Sequence, residues 1–147
     1  MNPANKVCQF LEWDTGFFGF RIGRIKVHRL DLDALETIDE WRRRHAIECL
    51  YFLADSDDPR TILLAQAHGY QLVEVRLIFE RSLKDWDPLT RPREAKGLHI
   101  RPAQPQDIPG LQEIARNSYI DSRFYFDQCF PEEKWQAYYS TWVQKSC

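Results

Sequence analysis

Hydrophobic and polar positions alternate with a period of two in some stretches of this chain and recur three and four apart in others. Residues 7–13 are a predicted first strand, closed by the turn signal Asp14-Thr15-Gly16. Phe18, Phe20 and Ile22 then alternate with Gly19, Arg21 and Gly23, and after Gly23 the apolar set moves to Ile25 and Val27. One inserted residue changes side-chain parity in that way, so the pattern predicts a glycine-bent hairpin with a bulge near Gly23-Arg24. Residues 31–46 are helical by spacing, with Leu32, Leu35, Ile38 and Trp41 or Arg42 on one stripe and Asp31 or Asp33 as cap. The run CLYFLA, 49–54, is apolar on both parities, as a central parallel strand is. Asp58-Pro59 opens another helix with a stripe of Ile62, Leu63 and Ala67, and Gly69 ends it. Residues 71–83 place Val73, Val75, Leu77 and Phe79 on one face and Glu74, Arg76 and Glu80 on the other, a long half-buried strand.

Residues 84–97, KDWDPLTRPREAKG, show no period and carry two prolines and a glycine, so they read as a linker. The pattern resumes with a strand at 98–101 and a helix around Ile108, Leu111, Ile114 and Ala115, capped near Asp107. A loop, 117–130, leads to a helix opened by Pro131, whose face of Trp135, Tyr138, Tyr139, Trp142 and Val143 is strongly aromatic. The organisation is therefore a ββαβαβ unit over 1–83, a linker over 84–97 and a second unit over 98–147. The fold class is α/β or α+β, a mixed sheet with flanking helices.

Composition narrows the function classes. The 147 residues are 44% hydrophobic and 14% aromatic with a net charge of −2, a globular composition without a basic footprint for nucleic acid. The local basic spots, Arg42 to Arg44 and Arg91 with Arg93, have acidic neighbours. Phe124 and Tyr125 are stacking residues for RNA only where a basic groove accompanies them, and none does. The longest apolar run, residues 49–54, is far short of the roughly 20 residues of a membrane span. Residues 1–10 lack the apolar core of a signal peptide, and Cys8, Cys49, Cys129 and Cys147 form no C-x-x-C pair, so a cytoplasmic chain with reduced thiols is expected.

Four groups invite a chemical reading. The glycines of LEWDTGFFGFRIGRI invite a phosphate loop, but such a loop lies between a strand and a helix mouth, whereas these lie in alternating pattern. Asp55, Asp57 and Asp58 follow a strand, where a magnesium ion is conceivable, yet no phosphate loop accompanies them; Asp58 reads as a helix cap and the others as solvated. His28, His45, His68 and His99 share no metal spacing, and no Ser or Cys sits in a nucleophile elbow, so no metal site is expected. The loop 117–130 interleaves Asn117, Ser118, Tyr119, Asp121, Ser122, Arg123, Tyr125 and Asp127 with phenylalanines. That mixture suits either a pocket for a small polar ligand or a helix connection whose aromatics seal the core.

Longer stretches resemble a known family. LHIRPAQPQDIPGLQEIARNSY resembles the opening strand and helix of the GNAT acyl-CoA N-acyltransferases, with an I-R-x-A strand and an Asp before an amphipathic helix. SRFYFDQCFPEEKWQAYYSTWVQKS is similar to the S/T-R-F-x-x-D-x-x-F-P loop and Y-x-x-W helix of the GNAT subgroup that includes dTDP-fucosamine acetyltransferase. LEWDTGFFGFRIGRI resembles that subgroup's L-x-W-D-x-x-F-F-G stretch, and PRTILLAQAHGYQLVEVRLIFERSL its L-x-x-x-G-F-x-L-V-E helix and strand. The resemblance implies an N-terminal half-GNAT unit followed by the first strand and two helices of a GNAT domain. It implies an acetyl group passed from acetyl-CoA to an amine of a small molecule, such as a nucleotide-linked amino sugar. Ser122, Arg123, Phe124 and Asp127, with Phe130 and Pro131, match the family loop and are implied to lie on the acceptor side. Tyr119, at the start of that loop, joins them as a substrate-binding candidate.

One family element is missing. The coenzyme pyrophosphate sits on a Q/R-x-x-G-x-G/A turn opening a helix, and the sequence contains no such run. The expectation is an N-terminal portion that ends before the acetyl-CoA loop, is inactive alone and binds no cofactor alone. No residue matches the family's catalytic tyrosine, so no catalytic role is assigned. The partners expected are a small-molecule amine and either a second copy or a missing C-terminal part, with no nucleic acid and no membrane. A competing expectation is a non-catalytic module that associates through the aromatic face of 135–143.

Overall fold

The computed structural model describes residues 4–82, 84 and 100–147. A single helical turn, α1 (Ala4–Val7), runs into strand β1 (Cys8–Phe10), and a short helix, α2 (Glu12–Phe18), leads to β2 (Ile22–Ile25). Helix α3 (Leu32–Arg44) connects to β3 (Cys49–Tyr51), which is followed by α4 (Pro59–Ala67). After a 3₁₀ turn (Pro105–Asp107) come α5 (Ile108–Ser118), α6 (Arg123–Phe126) and α7 (Glu132–Ser146). The protein is mixed α/β with a three-stranded mixed sheet: β2 pairs antiparallel with β1 and parallel with β3. Among the described residues no helix is long and apolar enough to cross a membrane.

The glycine-rich stretch departs from the expected hairpin. β1 stops at Phe10, and residues 12–18 are helical, with Trp13 stacked on Phe17 one turn later at 5.3 Å. Gly19 ends the helix at φ +87°, its N–H donating to Thr15 O, a left-handed cap that favours glycine. The alternation of Phe18, Phe20 and Ile22 therefore spans a helix end, a loop and a strand start, and all three meet in one apolar cluster. There is no bulge. Cys8, Gln9 and Phe10 pair in unbroken register with Ile25, Arg24 and Gly23. The parity change arises because both faces of β2 are buried: Ile22 faces one cluster and Ile25 the other.

The first cluster joins Cys8, Ile25 and Ile47 to Leu35, Ile38 and Trp41 of α3. Asp31 caps that helix, its Oδ1 accepting from Ala34 N at 2.7 Å, as the pattern predicts; Leu32 of the expected stripe is exposed. Gly23 lies beneath Trp41, where an added Cβ would stand 2.8 Å from the indole ring. On α4 the buried face is Thr61, Leu64 and Ala65, whereas Ile62 and Leu63 of the expected stripe face solvent. Thr61 determines that orientation: its hydroxyl accepts from Leu30 N at 2.7 Å and donates to Asp58 Oδ2 at 2.6 Å. The turn after α4 uses Gly69 at φ +81°, as expected.

The strand expected over 71–83 is not formed over its described residues, 71–82. Residues 71–82 carry no regular element, and Leu72, Val75, Leu77, Ile78 and Phe79 are each more than two-thirds exposed. A strand needs a neighbouring edge for its N–H and C=O groups, and among the described residues none pairs with this segment. Ile100 and Arg101, the described part of the second expected strand, are also irregular and exposed. The linker at 84–97 lies outside the described residues except for Lys84.

Candidate functional site

The turn that carries the family-like residues is built by short-range hydrogen bonds. Ser122 O accepts from Tyr125 N at 3.0 Å and Phe126 N at 3.2 Å, closing α6, while Ser122 Oγ donates to Tyr119 O at 3.2 Å. Asp127 Oδ1 accepts from Cys129 N at 3.0 Å and Asp127 O accepts from Phe130 N at 3.1 Å. The result is a turn, a single helical turn and a second turn that drive Phe124 and Phe130 into the second cluster beside Phe18, Ile22, Cys49 and Trp135. Phe124 is only 2% exposed and lies 5.1 Å from Phe18, 5.0 Å from Phe130 and 4.8 Å from Tyr138 between ring centres. Edge-on and tilted ring pairs at these distances are favourable beyond their buried area.

Arg123 is directed by its neighbour. With Phe124 anchored below, the guanidinium lies 4.6 Å from the Phe124 ring centre and 4.6 Å from that of Tyr51 on β3. Its Nη1 is 3.8 Å from Glu74 Oε2, and the side chain is about one-third exposed at 36%. Arg123 Nε and Tyr51 Oη are both shielded from solvent without a geometrically sound hydrogen bond, even though the two side chains touch. Burial holds the Tyr51 hydroxyl far above the ordinary phenol range. Burial also raises the Asp14 carboxyl, and the opposing pull of Arg123 is the next largest influence there. Cys49 beneath is pushed up to about 12, chiefly by burial and then by Asp127.

The site candidates therefore fall into two roles. Arg123 presents charge at the surface. Ser122, at 9% exposed, and Phe124 lie inside and shape the turn, and Asp127 closes it. Tyr119 stands beside them, its ring stacked on Tyr139 at 4.0 Å and 8°, and Tyr139 in turn lies 6.0 Å from Phe124. Pattern reading missed Tyr51, Asp14 and Glu74. Tyr51 was hidden in an apolar run, Asp14 read as a turn residue and Glu74 as the outer face of a strand. The only signal in the sequence was a polar-tipped aromatic inside CLYFLA.

Other chemical candidates are occupied elsewhere. Arg29 pairs with Asp55 at 3.0 Å and Asp57 at 3.2 Å, so those carboxylates are not simply solvated, and Asp58 holds Thr61. The Nδ1 atoms of His28, His45 and His68 each lie 2.8–2.9 Å from a backbone carbonyl. His99 lies outside the described residues. Among the described residues no group of three or more His, Cys, Asp or Glu is placed to hold a metal ion. A surface cleft of about 270 Å³ opens on the other face of the sheet beside Cys8, Lys26, Trp41 and His45. Its one thiol, Cys8, is pushed up to about 11 by burial and is a poor nucleophile. The aromatic face of α7 turns inward: Trp135 is 5% exposed and Tyr138 and Tyr139 are half-buried, while Trp142 remains exposed.

Compared with protein-family models, curated proteins and solved structures, the chain finds no match.

Proposed function

We propose that this chain forms the acceptor-binding part of a GNAT-type N-acetyltransferase and binds a small amine that also carries an anionic group, of the kind found in nucleotide-linked amino sugars. The observation that carries the reading is the Arg123 guanidinium, held against the Tyr51 and Phe124 rings with its outer edge exposed. A planar cation fixed on aromatic rings is preorganised to receive a phosphate or carboxylate through two parallel hydrogen bonds. Glu74 at its edge and Asp14 nearby supply carboxylates for the ammonium end of the same ligand. Ser122, Phe124 and Asp127 hold the turn in place, and Tyr119 flanks it.

In this reading acetyl-CoA is the acyl donor. The sequence contains no Gln/Arg-x-x-Gly-x-Gly/Ala turn, so the reading assigns the chain acceptor binding and no donor binding. The site is proposed to act in the cytoplasm. Calorimetric titration with a nucleotide-linked amino sugar tests the acceptor assignment. Saturable heat is expected, with affinity about tenfold weaker in Arg123→Lys, or ~1.4 kcal/mol, because lysine keeps the charge and loses the planar fork. Absence of saturable heat, or equal affinity in the variant, overturns the reading.

A further inference from the structure

We propose that residues 71–80 are a self-complementary pairing strand through which two copies of this chain join about a two-fold axis. The segment QLVEVRLIFE keeps a strand's period of two. It ends in solvent with Leu72 83%, Leu77 72%, Ile78 75% and Phe79 89% exposed, an apolar content that isolated surface residues do not explain. Its backbone groups have no partner among the described residues. An unpaired, apolar, β-patterned segment is a template for another strand.

The charges select a second copy as that strand. In an antiparallel pair centred on Val75, Glu74 of each chain stands opposite Arg76 of the other. Leu72 then meets Ile78, and Val73 meets Leu77. The adjacent in-phase registers put Glu74 against Glu74 or Arg76 against Arg76, both unfavourable. Out-of-phase registers place Glu74 against Val75 or Leu77, charge against apolar side chain. A register centred on Ile78 pairs Arg76 with Glu80 but sets Arg81 against Val75. Among the described residues the sheet's two edge strands, β1 and β3, are each three residues long and offer too few ladder positions for this ten-residue pattern. The two-fold contact is isologous: both copies use the same edge of the segment, and the dimer consumes that edge.

The inference does not rest on the acceptor reading, although Glu74 takes part in both, and it is tested on the whole chain by light scattering after size-exclusion chromatography and by sedimentation equilibrium. A dimer is expected at micromolar concentration. Glu74→Arg alone, or Arg76→Glu alone, is expected to weaken the dimer at least tenfold. The double exchange is expected to restore it. Because the segment forms no helix, the helical far-UV circular dichroism signal should be unchanged in all three variants, while the strand contribution falls with the dimer in the two single exchanges. Recovery in the double exchange separates the cross-strand pair from the Glu74–Arg123 contact, which that exchange does not rebuild. A wild-type monomer, an open-ended aggregate, or a dimer indifferent to the single exchanges overturns the proposal, as does failure of the double exchange to restore association.

Discussion

At the scale of single residues, Tyr51 Oη and Arg123 Nε are the buried side-chain polar atoms left without a hydrogen-bond partner among the described residues. The Tyr51 hydroxyl is buried without a satisfactory partner, a condition that costs about 1–3 kcal/mol relative to a paired group. A buried polar atom left unpaired in a well-packed cluster is explained if it serves a ligand held against Arg123. Tyr51→Phe removes the hydroxyl and keeps the ring that supports the guanidinium. The variant is expected to be as stable as wild type or up to about 1 kcal/mol more stable in urea unfolding, and to bind the amino-sugar nucleotide more weakly. A loss of stability above that margin would mean the hydroxyl already has a structural partner. Arg123 shows the complementary condition: a charge supported by rings on its inner side and partly exposed beside Glu74 on its outer side.

At the scale of elements, the close approach of α3 to β2 rests on one missing side chain. Gly23 lies under Trp41, and a methyl group there would come within 2.8 Å of the indole carbons and 3.3 Å of Gln9 O. Gly23→Ala is therefore expected to lower stability by about 1–3 kcal/mol through overpacking, measured as a lower urea midpoint with unchanged slope. An unchanged midpoint would show that Trp41 moves aside freely. The longer helices, α3, α4, α5 and α7, were legible in the sequence because their signals are local, whereas α2 was read as a hairpin and α6 as loop. Asp31 caps α3, Pro59 and Gly69 bracket α4, and the aromatic spacing of α7 sets its inward face. The strands were less legible, because a strand is defined by a partner that spacing does not reveal. The 71–83 pattern has the right period, but its described residues have no paired neighbour among the described residues, and Phe18 to Ile22 alternate while crossing a helix end. The candidate site divides in the same way: the Arg123 turn is contiguous and readable, but Tyr51 and Asp14 reach it from distant parts of the chain.

At the scale of the whole molecule, the sheet is the divider between two apolar clusters, and each holds a buried thiol. Cys8 belongs to the α3 side and Cys49 to the α6–α7 side, pushed up to about 11 and about 12 respectively from an ordinary value near 9. These acids are raised in the folded state, so their contribution to stability is complete below about pH 9 and is lost as pH rises toward 11 and 12. Stability is expected to fall over that alkaline interval, and less steeply in Cys49→Ala. With a thiol reagent at pH 8, the exposed Cys129 and Cys147 should react at once, and Cys8 and Cys49 only on unfolding. Four fast thiols would contradict the two-cluster packing.

The central claim is that a guanidinium resting on the rings of Tyr51 and Phe124 is the acceptor-binding centre. The most direct test is a ¹H–¹⁵N correlation spectrum recorded while a nucleotide-linked amino sugar is titrated into the protein. The account predicts saturable movement of the Arg123 Nε–H signal together with the backbone amides of 119–127, and loss of both effects in Arg123→Ala. A spectrum that stays still, or that moves only around Trp41 and His45 on the opposite face, would contradict it.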